Sequence, residues 1–312
     1  MPFDQLVKTF ETLKKSRRQG SPKVLLNKVG ELAAASSNLL DETADWIPIR
    51  WLGSGAKLYS VAALAGTVSP VSRAVNDALM IRDPDEFILA WDEYESQLLS
   101  SEGQRHLEYD GPQSLDRVLY TAVMSWAVAV DLFSPSNGRA GSYLEMLVAS
   151  SVAQLLGQRA TSAVKVLVPE DQSVESIPLD ITFEGENRSL AIPTKISTRE
   201  RISQAYVHAA ILDAAFPGKY RTILCIGNET NAYYPPGAKK VASNLCLKET
   251  LVPRTIHLYE KYISKLDGLY YLDPPQAYVD REHSRTFPPV APLSELLLSD
   301  LLWLSEGIMP EG

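Results

Sequence analysis

Residues 177–201, Ile-Pro-Leu-Asp-Ile-Thr-Phe-Glu-Gly-Glu-Asn-Arg-Ser-Leu-Ala-Ile-Pro-Thr-Lys-Ile-Ser-Thr-Arg-Glu-Arg, decide how this chain is read. Ile177–Phe183 is a run of β formers interrupted by Asp180. Glu184-Gly185-Glu186-Asn187 is a turn, and Ser189–Ile196 returns as the second strand of a hairpin. With the turn centred near residues 185–186, Asp180 pairs with about residue 191. A modest register offset then brings Asp180 and Lys195 to the same end of a sheet.

The elements around this hairpin set the fold class. Ser134-Pro135-Ser136-Asn137-Gly138 is a break, and Gly141–Leu156 is a helix with Gly157 at C′. Ala163–Val168 reads as a strand before the hairpin, and residues 199–215 read as a helix after it. Tyr220–Ile226, Leu245–Val252 and Leu269–Leu272 are further strands, with a helix near 254–265. A Pro-rich stretch, 287–292, and a short helix, Leu293–Leu304, close the chain. This order predicts an α/β fold, a mixed sheet with helices on both faces. The first 133 residues read as a mainly helical region: 3–17, 23–40, near 55–66, 70–80, 84–100 and 113–133. Loops are expected at Asp45–Gly53 and Gly103–Pro112. Residues 134–312 form the core and its tail.

Composition removes several classes. The 312 residues are 45% hydrophobic and 22% charged, as in an ordinary globular protein. The longest apolar run, Val118–Val130, is too short to cross a bilayer and reads as a buried helix. The N-terminus has the helical spacing Phe3, Leu6, Val7, Phe10, Leu13 and no signal-peptide pattern, so a cytoplasmic protein is expected, with no membrane partner. Cys225 and Cys246 make neither a disulfide framework nor a zinc site. Gly53-Ser-Gly55-Ala-Lys57 lacks the phosphate-loop spacing, and His106, His257 and His283 show no ligand spacing. The net charge of −8, from 30 basic and 38 acidic residues, argues against a nonspecific nucleic-acid coat protein. It leaves a DNA enzyme open, because only charge within the binding cleft matters there.

The chemistry-bearing residues converge on the hairpin. A carboxylate at Asp180 can hold Mg²⁺, a hard cation that takes oxygen ligands. Lys195 beside it can orient or deprotonate a water and offset phosphate charge. Glu145, on the preceding helix, can add a second carboxylate. Together they suit phosphodiester hydrolysis.

These segments resemble the PD-(D/E)XK nuclease core, and more narrowly the type II restriction endonucleases that cut sites containing CC and GG, the EcoRII/SsoII/PspGI-like group. Arg139-Ala-Gly-Ser-Tyr-Leu-Glu145 is similar to their helix with the first acid. Asp180 matches the metal-binding aspartate, and Lys195 followed by Arg199-Glu200-Arg201 matches the catalytic lysine and recognition triplet. The likeness covers roughly residues 135–275, and the triplet is its most specific part.

The resemblance implies a restriction-endonuclease-like fold and a Mg²⁺-dependent homodimer. It implies cutting of double-stranded DNA at a palindrome of CC/GG half-sites, a CCNGG-like site or an extended version of it, with a 5′ stagger before CC. A cognate methyltransferase would protect host DNA. Arginine forks onto guanine O6 and N7 and glutamate accepts from cytosine N4, so Arg199, Glu200 and Arg201 would read two adjacent C·G pairs. Some members flip central bases onto an aromatic platform. Trp46 and Trp51 are candidates for it, with Arg50 on the backbone.

The chain departs from the family at two positions. Pro193 replaces the acid two residues before the lysine. His208 stands where related enzymes take a carboxylate from the following helix, and imidazole is a poor Mg²⁺ ligand. The metal would then rest on Asp180, the Thr194 carbonyl and Glu145, with His208 holding water or phosphate.

Plainer roles compete. Ser197-Thr-Arg-Glu200 is also a helix capping box, but that explains neither arginine nor the lysine. Glu145 fits a solvated helix position, Lys195 a strand-edge charge, and the tryptophans core packing. The rival functions are a catalytically silent sequence-specific DNA-binding protein and a repair or recombination nuclease of the same fold.

Overall fold

The computed structural model describes residues 2–16, 21–51, 59–64, 72–134, 139–168, 171–197, 202–239, 244–281 and 287–307. Five long helices build the first half. They are α1 (Phe3–Ser16), α2 (Pro22–Thr43), α3 (Pro84–Ser100), α4 (Pro112–Phe133) and α5 (Arg139–Leu156). Ser21 caps α2 by accepting the Val24 amide at 3.4 Å, and Asp83 caps α3 by accepting the amides of Asp85 and Glu86 at 2.9 and 3.1 Å. Each cap is followed by proline at N1, whose missing N–H costs a helix nothing there. The buried residues of α4 include every position from Val118 to Val130, the mark of a central helix. Helix α5 stops at Gly157, whose φ of +63° closes the last carbonyls.

These helices share one core. Phe10 stacks on Trp126 at 4.9 Å, and the Tyr143 hydroxyl donates to the Val29 carbonyl at 2.8 Å. The C-terminal helical run joins the same core through Leu296, Leu301 and Leu304. It comprises α9 (Leu293–Glu295), a π segment (Leu296–Asp300) and α10 (Leu301–Glu306). No described helix is long and apolar enough to cross a membrane.

The main sheet has seven strands among the described residues. In chain order they are β4 (Thr161–Leu167), β5 (Val174–Phe183), β6 (Ser189–Ala191), β7 (Thr194–Lys195), β8 (Tyr220–Ile226), β11 (Gly268–Tyr271) and β12 (Val290–Pro292). Their spatial order is β12-β11-β8-β6-β5-β4, with β7 also on β8. The β4–β5–β6 pairs are antiparallel and those from β6 to β12 parallel, so the sheet is mixed, as expected. Helices α6 (Ile202–Ala215) and α7 (Pro253–Tyr262) belong to this half, with a short α8 (Gln276–Val279) after β11.

The N-terminal region corrects the helical reading near 55–66 and 70–80 and the loop at 45–53. It holds strands β1 (Ala44–Trp51), β2 (Tyr59–Leu64) and β3 (Ala74–Asn76). With β9 (Thr230–Tyr233) and β10 (Cys246–Glu249) they form a second sheet, ordered β3-β2-β1-β10-β9. Pro48 reads as a loop signal, yet it lies within β1. There β10 pairs only with Arg50 and Trp51, so no ladder on that side asks for its amide. The Ala-rich β2 looks helical by propensity but is held by partners on both sides.

Buried polar side chains lock the two sheets together. Asn76 Nδ2 donates to both oxygens of Asp273 at 3.1 Å, and the Asn76 amide donates to the Tyr120 hydroxyl at 2.6 Å. The Tyr271 hydroxyl donates to Glu229 Oε1 at 3.2 Å, while the Glu229 carbonyl accepts the Thr250 amide at 2.8 Å. Removing a hydrogen bond to a buried charged group costs about 1.5–3 kcal/mol. Asn76→Ala should therefore lower unfolding stability by about that much in a urea titration. Asn76→Asp should be worse, because it sets a second carboxylate against Asp273. Equal stability of the two variants would contradict this account of the junction.

Candidate active site

The site begins with an irregularity in β5. Thr161 pairs with Thr182, but Ala163 pairs with Pro178, so Ser162 alone faces three residues, Leu179–Ile181. Such a bulge bends its strand and re-aims a side chain. Leu179 and Ile181 are buried, while the Asp180 side chain between them is 33% exposed. On the other side, Thr182 pairs with Ala191 and Phe183 with Leu190. Continued by counting, that register sets Asp180 level with Pro193, two residues beyond the pairing expected from the turn.

Pro193 shapes the next step. It has no amide to give to β8, and pairing with β8 lapses between Ala191 and Thr194. The Pro193 carbonyl still accepts the Cys225 amide at 3.0 Å. Just past this break the Thr194 amide donates to Asp180 Oδ2 at 2.9 Å. Lys195 Nζ donates to the same oxygen at 2.7 Å and to the Thr194 carbonyl at 2.9 Å. The hairpin thus brings Asp180, Thr194 and Lys195 together.

This cluster sits at the carboxyl ends of the parallel strands, where open α/β sheets bind ligands. Lys195 pairs with Ile226 and Ile226 with Tyr271, so the three form one row across the sheet. Gly227 follows, and its amide donates to the Lys195 carbonyl at 3.0 Å. A Cβ on Gly227 would come within 2.8 Å of the Ile196 carbonyl oxygen, which reserves the position for glycine.

His208 lies half-buried on α6, within electrostatic reach of the pair. Burial lowers its pKa from the usual imidazole value; Asp180 opposes the shift and Lys195 adds to it. Glu145 is half-buried on α5, which packs against β7. Among the described residues no three His, Cys, Asp or Glu side chains gather as a metal-binding group. Glu145 and His208 therefore do not close an all-side-chain ligand set around Asp180. The oxygens that do converge, the Asp180 carboxylate and the Thr194 carbonyl, are hard donors. They suit Mg²⁺, which takes one or two carboxylates and keeps several waters.

Other expected residues fall elsewhere. Arg199, Glu200 and Arg201 lie outside the described residues, as does most of the capping box; α6 is described from Ile202. Trp46 is on β1 with the Arg82 guanidinium 5.0 Å from its ring centroid, and it packs on the main core. The side chains of Arg50 and Trp51 lie outside those described. The sequence reading missed Gly227, Asn228, Glu229 and Asp273, which line the edge next to Lys195. Their signal was available: polar residues directly after an apolar central strand.

No protein-family model matches the chain, and no curated protein matches it. Among solved structures, the type IIP restriction endonuclease Kpn2I superposes with a TM-score of 0.74 at 24% identity, over 94% of this chain and 95% of that one. The restriction endonuclease PspGI, in complex with substrate DNA, matches at a TM-score of 0.42 and 13% identity, over 75% of this chain and 93% of that one. The chain has the restriction-endonuclease fold.

The electrostatics make a checkable statement about His208. Its imidazole should titrate below an ordinary histidine in an NMR pH series. Asp180→Asn removes the charge that raises its pKa and should lower the midpoint further; Lys195→Met should raise it. Shifts of the opposite sign would mean that His208 does not face this pair.

Proposed function

We propose that the protein is a Mg²⁺-dependent type II restriction endonuclease. It acts as a homodimer on double-stranded DNA, at a palindrome with CC/GG half-sites, and makes a 5′-staggered cut before CC. The single observation that carries this reading is the clasp at Asp180 Oδ2, which accepts from Lys195 Nζ at 2.7 Å and the Thr194 amide at 2.9 Å. A carboxylate, a carbonyl and a lysine amine at a sheet's carboxyl edge form an apparatus for phosphodiester hydrolysis.

Asp180 and the Thr194 carbonyl would hold Mg²⁺, which supplies positive charge against the scissile phosphate and acidifies a bound water. Lys195, tethered by Asp180 and Thr194, aims its amine at the attacking water and the phosphate oxygens. Water adds to phosphorus and the 3′ oxygen leaves, so the product carries a 5′-phosphate. His208, held largely neutral by burial, can accept a hydrogen bond from water at this edge. Glu145 assists from the α5 side. Arg199, Glu200 and Arg201 precede α6 and read the C·G pairs in the major groove. The N-terminal region, with Trp46, Arg50 and Trp51 on β1, contributes contacts to DNA and the dimer.

A second reading has its own support. Glu145, Asp180 and His208 form no three-ligand group, which favours a sequence-specific DNA-binding protein that does not cut. Digestion of phage DNA in Mg²⁺ with end sequencing separates the two. Discrete fragments sharing a CC…GG site support the endonuclease. A shifted CC/GG duplex in Ca²⁺ with no nicking in Mg²⁺ supports the silent binder. Random cleavage would point to a repair or recombination nuclease of this fold.

Asp180→Ala and Lys195→Ala should each slow cleavage by about 10²–10⁴-fold in single-turnover assays while DNA still binds. Undiminished cutting by either variant would remove that residue from the mechanism. Arg199→Ala should cost about 1–3 kcal/mol of discrimination at one C·G pair, read as relaxed cleavage at sites altered there. Unchanged selectivity would move recognition away from the triplet.

A further inference from the structure

We infer that the basic notch between α7 and the segment after α8 grips the phosphate backbone of DNA flanking the cut site, an inference that rests on the nuclease reading above. The chain is acidic overall, with 38 acids to 30 bases. Yet Arg254 and His257 on α7 are exposed, and the α7 surface continues through Lys261 to Lys265. The only acid within α7, Glu260, is buried, accepting from the Tyr206 hydroxyl at 2.7 Å and the Leu266 amide at 3.1 Å. Arg254, His257 and Arg281 rim a mainly apolar notch of about 350 Å³, which exposed Leu258 and buried Phe287 also line. None of these three side chains is in an ion pair with a described residue. Asp280, next to Arg281 in sequence, is exposed and keeps its charge; it accepts from the Gln276 amide at 2.9 Å and is not ion-paired with Arg281. Cations left unneutralised on one face of an acidic protein are the footprint of a polyanion.

The notch lies on the working edge of the sheet. Lys195, Ile226 and Tyr271 form one row, so Lys195 and Tyr271 are two strand spacings apart, about 10 Å. The Tyr271 ring is 6.1 Å from that of Tyr278, which is 5.3 Å from that of Phe287 in the notch. The Tyr278 hydroxyl accepts the Val252 amide at 2.7 Å, which fixes the start of α7 beside the same edge. Duplex DNA carries one charge per about 1.7 Å of its axis. A duplex with its scissile phosphate at Lys195 would present phosphates to one side of the cut to Arg254, His257 and Arg281. Such contacts set register and affinity and carry no sequence information.

The test measures binding of the full-length protein to a long-flanked CC/GG duplex in Ca²⁺ across a salt series. The Arg254→Ala/Arg281→Ala double variant should flatten the slope of log K against log salt by about 1 per arginine. It should weaken binding equally on cognate and unrelated duplexes. Arg254→Lys/Arg281→Lys should restore most of the slope. An unchanged slope in the alanine variant overturns the inference. So does an equal loss in Arg117→Ala, whose guanidinium already pairs with Glu86 at 3.4 Å, because the effect would then be one of overall charge. If the wild-type protein neither binds nor cuts DNA, the nuclease reading itself has failed. If it does both with an unchanged slope in the variant, only this inference falls.

Discussion

One carboxylate oxygen, Oδ2 of Asp180, is held at once by the Lys195 amine and the Thr194 amide, and the local architecture supplies the conditions for that contact. The bulge at Leu179–Ile181 turns the carboxylate out of the ladder. Pro193 interrupts pairing with β8 and leaves the Thr194 amide to the carboxylate. Gly227 lets the neighbouring strand close against Ile196 and fasten the Lys195 carbonyl. A charged pair this sheltered stabilises a fold little, because desolvation offsets most of the attraction. Its value is positional: it fixes an amine and an oxygen donor at one point on the sheet edge.

Much of this was legible in the amino acids. The helices around α2, α3, α4 and α5 were expected close to where they lie, α4 from its long apolar run and α5 from its Gly157 stop. The Asp180–Lys195 hairpin followed from its turn and from an acid set in an apolar strand. The register of that hairpin was off by two residues, because its turn is centred between residues 186 and 187, one residue later than the sequence suggested. The second sheet was not legible either. Pro48 and the Ala-rich stretch before Leu64 argue locally for loop and helix, and only distant partners, β10 for β1 and β3 for β2, make them strands. Glu229 and Asp273 follow apolar strands, which marks the edge they stand on but not that they are buried there. Their burial against Tyr271 and Asn76 depends on contacts 42 and 197 residues away in the chain.

The molecule divides its polar chemistry by place. Acids outnumber bases, 38 to 30, and three of them mark the sheet edges: Asp180 in the candidate site, and Glu229 and Asp273 where the sheets meet. Gly227 bonds both Lys195 and Asp273 through its backbone, so main-chain hydrogen bonds join the sheet junction to the candidate site. A strand set carrying Trp46 and Arg50 is thereby tied to the strand end carrying Lys195. That arrangement suits an enzyme in which contact with DNA on one sheet must align a phosphate on the other.

A crystal structure of the protein with a CC/GG duplex in Ca²⁺ examines this proposal most directly. The account predicts a backbone phosphate within hydrogen-bonding distance of Lys195 Nζ and a cation bridging it to Asp180. A duplex bound on another face, with Asp180 and Lys195 still clasped and facing solvent, would contradict it.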